Sequence, residues 1–106
     1  MKKLLLALAC SAGVLLSQGN TALLRGSITD PSGAPAPGAA VAATNVQTKL
    51  AARTVTNERG EYALPSMPSG VYEITASKNG FKVARKSDIE IAAGVDTTVN
   101  VRLEGR

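Results

Sequence analysis

The chain has 106 residues, a formal net charge of +4, one cysteine, no histidine and no tryptophan. That length bounds it to one domain. A zinc site built on histidine and cysteine is excluded, and so is a serine or cysteine nucleophile served by a histidine base. Tyr62, Tyr72 and Phe81 are the only aromatic residues.

Met1-Lys2-Lys3 is a short positive start, and Leu4 to Leu16 is an apolar run broken only by Ser11 and Gly13. Ser17-Gln18-Gly19 then sets small residues at −3 and −1 of a cut after Gly19. This is the layout of a secretory signal peptide over residues 1–19. The run is shorter than the roughly 20 apolar residues of a spanning helix. A cut after Ala22 would put Asn20 at −3, an unusual residue there. A buried core helix is the other reading, and the uncapped start speaks against it. Cys10 sits in Ala7-Leu8-Ala9-Cys10, where a lipoprotein box would need its leucine one place earlier, and the apolar run continues past it. With Cys10 in the leader, the exported chain over 20–106 has no cysteine to pair and no membrane span. Its charge falls to +2 once Lys2 and Lys3 are gone, which gives little reason to expect nucleic acid.

Beyond residue 20, apolar and polar residues alternate, and β-branched residues dominate. Leu23 to Thr29 reads as a first strand, with Leu24, Gly26 and Ile28 on one face. Asp30 to Gly38 is turn chemistry, with Gly33 and Gly38 free to take positive φ. Ala39 to Val46 is a second strand of small residues, and Leu50 to Thr56 a third. Asn57-Glu58-Arg59-Gly60 is a tight turn into a short fourth strand, Glu61 to Leu64. Pro65 to Gly70 carries two prolines and reads as a loop. Val71 to Ser77 is a fifth strand with Tyr72, Ile74 and Ala76 inward. Asn79-Gly80 is a two-residue hairpin signal. Phe81 to Ile91 is a sixth strand, broken near Lys86-Ser87-Asp88. After Ala92-Ala93-Gly94, Val95 to Leu103 is the seventh, with Val99, Val101 and Leu103 inward and Asp96, Thr98, Asn100 and Arg102 toward water. Seven short strands with turns between them predict an all-β antiparallel sandwich; a closed barrel is the competing architecture.

The turns form an ordered set. Arg25-Gly26-Ser27-Ile28-Thr29-Asp30, Gly33 to Ala39, Val41, Thr56 to Tyr62, Leu64-Pro65, Pro68 to Tyr72 and Asn79-Gly80-Phe81 together resemble the carboxypeptidase regulatory-like domain family. The resemblance covers residues 23–103 and implies a transthyretin-like seven-stranded sandwich. Such domains stand beside zinc carboxypeptidase domains and at the N-termini of TonB-dependent outer-membrane receptors, and related sandwiches bind starch. None is itself catalytic. The expected core is Ile28, Val41, Tyr62, Leu64, Tyr72, Ile74, Phe81, Val99 and Val101. Gly38, Gly60, Gly70 and Gly80 are the turn glycines that let Tyr62, Tyr72 and Phe81 enter it.

No catalytic, cofactor or metal residue stands out. Glu58, Glu61, Glu73 and Glu90 read as solvated carboxylates, Asp30 as a turn cap, and neither Asp30 nor Asp96 has the oxygen-ligand spacing of a calcium loop. Lys78, Lys82, Arg85 and Lys86 cluster around one hairpin, as a solvated face or a charged strand edge. A Lys–Asn cross-link is disfavoured, with Arg25 in the first strand and Asn100 outward. Sugar sites on sandwiches use exposed rings, and the rings here are assigned inward. The reading is therefore an exported, non-catalytic module of the periplasm, outer membrane or exterior. It docks to an envelope protein, such as a receptor of which it is the N-terminal piece. A carbohydrate-binding module and a peptidase accessory are the alternatives.

Overall fold

The computed structural model describes residues 21–105, and all regular structure in them is β. The leader expected over residues 1–19, with Cys10, lies outside the described residues. Ten strand segments follow one another: β1 Thr21–Thr29, β2 Ala40–Asn45, β3 Ala51–Val55, β4 Glu61–Pro68, β5 Gly70–Ser77, β6 Phe81–Lys82, β7 Ala84–Ile91, β8 Thr97–Thr98, β9 Val101–Arg102 and β10 Glu104–Gly105. They form two facing layers. One layer runs β3-β2-β5-β7, and the other places β4 on one side of β1 and β8 and β9 on its other side. β6 and β10 pair with each other and form a separate two-stranded element. The described strands thus make a sandwich of separate sheets and not a closed barrel.

The core lies between the layers because apolar residues alternate along each strand. Leu24, Ile28, Tyr62, Leu64, Met67, Val99, Val101 and Leu103 come from the β1 layer, and Val41, Ala43, Tyr72, Ile74, Ala76 and Ile91 from the β2–β5 layer. Leu24, Ile28, Ile74, Leu103 and Val41 are the largest fully buried side chains. Burying a side chain of this size contributes about 1.5–3 kcal/mol.

The structure departs from the sequence reading at several points. The last strand is split into β8 and β9, and both run parallel to β1, with Leu24 opposite Thr97 and Ile28 opposite Val101. The sandwich is therefore not wholly antiparallel. A parallel pair needs a long crossover, and here the other strands of the domain supply it. The sixth strand is likewise split into β6 and β7. Asn79-Gly80 does turn the chain, with the Phe81 N–H donating to the Lys78 carbonyl at 3.1 Å. But Phe81 and Lys82 leave the hairpin to pair with Gly105 and Glu104, so β7 joins β5 only from Ala84 opposite Ala76. Phe81 is consequently half-buried at the rim, packed against the core and not inside it.

Residues 65–68, read as a loop, belong to β4. Prolines are tolerated on an edge strand, and among the described residues β4 has β1 as its only ladder neighbour. Between the Leu24–Leu64 and Ala22–Met67 pairs, β4 carries one residue more than β1, and Ser66 takes φ 61°. This bulge flips the alternation and turns Met67 into the core. A second bulge lies in β7 at Ser87-Asp88, where Asp88 takes φ 59°. There the expected break of the sixth strand near Lys86-Ser87-Asp88 is a change of register within a continuous strand.

Candidate functional site

Turns and loops are organised by short side chains that accept backbone N–H groups. Asp30 Oδ1 accepts from Ser32 N and Ala34 N at 2.9 and 3.0 Å and from the Ser32 hydroxyl at 2.6 Å. The Ser32 hydroxyl above all, with these amides, holds the exposed Asp30 carboxyl below its usual range, against a smaller opposing effect of desolvation. Asn45 caps the turn before β3 through the Gln47 and Thr48 amides, and Asn57 caps the next through the Arg59 and Glu61 amides. Thr56 is the one buried polar residue among those described. Its hydroxyl donates to the Ala36 carbonyl at 2.6 Å and accepts the Ala39 N–H at 2.9 Å, tying the long loop before β2 to the end of β3. Gly60 takes φ 73°, and a Cβ there would lie 2.6 Å from the Ile28 carbonyl oxygen, so neither its conformation nor its surroundings admit a side chain. Gly38, Gly70 and Gly80 also have positive φ.

The outer face of the β1 layer holds an open groove of about 640 Å³. Arg25, Ser27, Asn57, Glu61, Thr98 and Asn100 line it, with Gly26 in its floor. Here the ladder between β1 and the last strand skips one peptide. The Ser27 N–H donates to Asn100 Oδ1 at 2.9 Å, while the Val99 carbonyl instead accepts the Tyr62 hydroxyl at 2.7 Å. Tyr62 reaches Val99 across Gly26, its ladder partner, where a Cβ would stand 1.8 Å from the Val99 oxygen. Burial pushes the Tyr62 hydroxyl up to about 12. Asn100, read as facing water, is exposed yet completes the ladder in place of a backbone carbonyl. The alternation that placed Asn100 outward carries no sign of this exchange. Gly26 in the middle of a strand was the one available signal, since a strand glycine marks a close approach.

The predicted basic cluster is not brought to one place. Lys82 lies opposite Glu104 on β10, Arg85 pairs with Glu73 at 3.3 Å, and Lys78 lines a different surface depression from Arg85 and Lys86. Arg102 donates to the Pro31 carbonyl. Glu58, Glu61 and Glu90 are exposed on separate turns and strands. No group of three or more acidic, histidine or cysteine residues gathers among the described residues. The Tyr72 hydroxyl donates to the Pro68 carbonyl at 2.8 Å, so both tyrosine hydroxyls are engaged with backbone.

Exposed apolar side chains also occur at Val83 and Val95, but on one flank they coincide with open backbone. Leu50, just before β3, is 73% exposed, and Val55, the last residue of β3, is 60% exposed. Among the described residues β3 pairs with β2 alone, and β4 beside it pairs with β1 alone. A notch of about 360 Å³ opens between them, walled by Leu50, Ala52, Met67, Pro68 and Tyr72. No helix among the described residues is long and apolar enough to cross a membrane.

The fold is shared with much larger proteins. The chain is similar to catechol 1,2-dioxygenase from Pseudomonas arvilla, with TM-score 0.66 and 14% identity over 83% of this chain and 53% of that one. Catechol 1,2-dioxygenase from an Acinetobacter species gives 0.67 and 12% over 83% and 53%, and hydroxyquinol 1,2-dioxygenase from Pseudomonas putida gives 0.66 and 10% over 84% and 58%. The chain thus spans little more than half the length of these structures, and at such identities the likeness is one of fold. No curated protein sequence matches it. The carboxypeptidase regulatory-like domain family matches residues 24–104, almost every residue of the sandwich, and the chain belongs to that family.

Proposed function

We propose that this chain is an exported, non-catalytic β-sandwich module that docks to another protein of the cell envelope, as the N-terminal module of a TonB-dependent receptor would. The observation that carries the reading is the exposure of Leu50 and Val55 at the ends of a sheet edge. Large apolar side chains beside unpaired backbone suit a protein surface better than a small polar ligand. The tyrosines support the same choice over sugar binding. Both are buried with their hydroxyls bonded to carbonyls, which removes the stacking surface on which sugar sites rely. The open groove over Gly26 sets hydroxyls, amides, Arg25 and Glu61 along an exposed sheet face, and the described residues include no histidine or cysteine.

Two measurements test it. Cross-linking in intact cells followed by fractionation should retain the chain with an envelope protein. Calorimetry against oligosaccharides should give nothing tighter than about millimolar, near −4 kcal/mol. A specific micromolar sugar ligand, or a chain that stays in the cytoplasm uncleaved from Met1, would overturn the reading.

A further inference from the structure

We infer that the outer edge of β3 is the docking strand, and that it receives an extended strand of a partner protein with an acidic residue opposite Arg53 and apolar residues on either side of it. This deepens the docking reading and rests on it.

The sandwich ends in four sheet edges, and three are blocked. β4 carries Pro65 and Pro68 and the bulge at Ser66. β7 has the bulge at Asp88, and it sets Lys86 opposite the inward Ile74, so a charge stands on the core-facing side of that edge. The edge made by β8 and β9 consists of two-residue pieces separated at Val99-Asn100. Prolines, bulges, inward charges and short strands are the devices by which sheets refuse further strands. β3 has neither a proline nor a bulge, and its register with β2 is unbroken from Ala51–Thr44 to Val55–Ala40.

The direction of its free backbone groups follows from two bonds. Asn45 N donates to the Leu50 carbonyl and Thr56 N donates to the Ala39 carbonyl, each at 2.9 Å. In an antiparallel ladder the bonded pairs alternate. Leu50, Ala52, Thr54 and Thr56 therefore turn their backbone groups to β2. Ala51, Arg53 and Val55 turn theirs outward, and no described strand meets them.

The edge also specifies what it accepts. Arg53 is the one charge in β3; it is exposed, and it forms no ion pair with a described residue. In an antiparallel pairing of β3 with a second copy centred on this residue, Arg53 would stand opposite or diagonal to its own copy, and like charges so placed destabilise a sheet. An acidic side chain on the incoming strand reverses the sign. On the other face, the notch beside Ala52, Met67 and Tyr72 takes alternate apolar side chains. Backbone bonds with pockets for alternate residues make up strand-addition recognition.

The test uses the full chain, labelled for amide NMR, with three blocked peptides: Thr-Val-Glu-Val-Thr, its Lys analogue, and one with proline in place of the central residue. The Glu peptide should bind and slow amide exchange at Ala51, Arg53 and Val55. The Lys peptide should bind at least about threefold more weakly, and the proline peptide not at all. Arg53→Glu should invert the Glu-over-Lys preference. Arg53→Pro removes only an outward N–H and should abolish binding while the Ala52 and Thr54 amides stay protected. Should that variant unfold, the inversion by Arg53→Glu decides alone. Protection at β4 or β7 instead, an unaltered preference in Arg53→Glu, or no binding by any peptide overturns the assignment of the edge. A concentration-dependent dimer with Ala51, Arg53 and Val55 protected in the absence of peptide overturns the choice of partner. If cross-linking in cells still retains an envelope protein after Arg53→Pro, the edge assignment fails and docking stands; if the unaltered chain retains none, docking itself fails.

Discussion

The two layers of this sandwich are held together by different means. In the β3-β2-β5 part of the second layer, every ladder bond follows from simple antiparallel alternation, and the inward residues Val41, Ala43, Tyr72, Ile74 and Ala76 fall at every second position. In the first layer the rule is broken three times. β4 bulges at Ser66, the last strand runs parallel to β1, and one rung of that parallel ladder is made by side chains. Small residues do different work in the two. Ala40 and Ala42 lie on an open outer face, whereas Gly26 lies where Tyr62 and Val99 meet. A regular ladder tolerates changes that keep its period. A ladder completed by side chains depends on the individual residues that complete it.

The sharpest way to break the comparison is Gly26→Ala. The added Cβ would stand 1.8 Å from the Val99 oxygen, a contact relieved only by moving one strand away from the other. The expected loss exceeds about 4 kcal/mol, at the exceptional end for a single substitution. Against a total stability of about 5–15 kcal/mol, that leaves the chain close to unfolding in a urea titration. A loss below about 1 kcal/mol would show that the two layers do not differ in this way.

The difference between the layers also marks where the sequence is readable. Alternation finds β5 with its inward residues Tyr72, Ile74 and Ala76, and β2 and β3 are found as strands, because one face buried and one face wet leaves a period-two trace. Asn79-Gly80, Asn57 to Gly60 and Asp30 to Gly38 are visible as turns because positive φ and side-chain caps need particular residues. Met67 is hidden because the Ser66 bulge shifts its parity, and two prolines argue against a strand that only its edge position permits. Phe81 is misplaced because a ring after Asn-Gly looks like the start of a hairpin strand, while its real ladder partner is Gly105 at the far end of the chain. The open edge of β3 is legible only in part. Its lack of proline is in the sequence, but its lack of a described neighbour and the exposure of Val55 are facts of topology.

Tyr62→Phe probes the substituted rung with less force. It removes a hydroxyl and leaves the Val99 carbonyl without its donor, for an expected loss of about 1–3 kcal/mol. Burial of the same hydroxyl makes stability depend on alkaline pH. The folded Tyr62 titrates near 12, above its ordinary value of 10, so the folded state favours the protonated phenol. Its contribution is complete below pH 10 and is lost as pH rises toward 12. Urea midpoints measured across that window should fall for the unaltered chain and fall less for Tyr62→Phe. Equal slopes would separate the hydroxyl from the stability of this rung.

Asn100→Ala removes the acceptor of the Ser27 N–H at an exposed position where water can take its place. The expected loss is about 0.5–1.5 kcal/mol. Asn100→Asp keeps an acceptor oxygen and should recover most of it. If Asp behaves like Ala, the oxygen is not what closes the rung.

The smallest effect lies in the second layer, where β5 meets β7. Glu73 lies on β5 between the inward Tyr72 and Ile74, and its carboxylate meets Arg85 on β7 at 3.3 Å. The pair is open to solvent, with 63% of the Arg85 side chain and 36% of the Glu73 side chain exposed. Water and salt screen such a pair, and holding two long side chains together costs conformational freedom, so exposed pairs contribute about 0–1 kcal/mol. Glu73→Ala also leaves the backbone ladder between β2, β5 and β7 untouched. The expected change is within about 0.5 kcal/mol, and raising the salt concentration should lower the stability of the unaltered chain toward that of the variant. A loss above about 1 kcal/mol that persists in high salt would mean that this outward position is not merely solvated. The second layer would then also rest on a particular side chain, and the contrast between the layers would be one of degree.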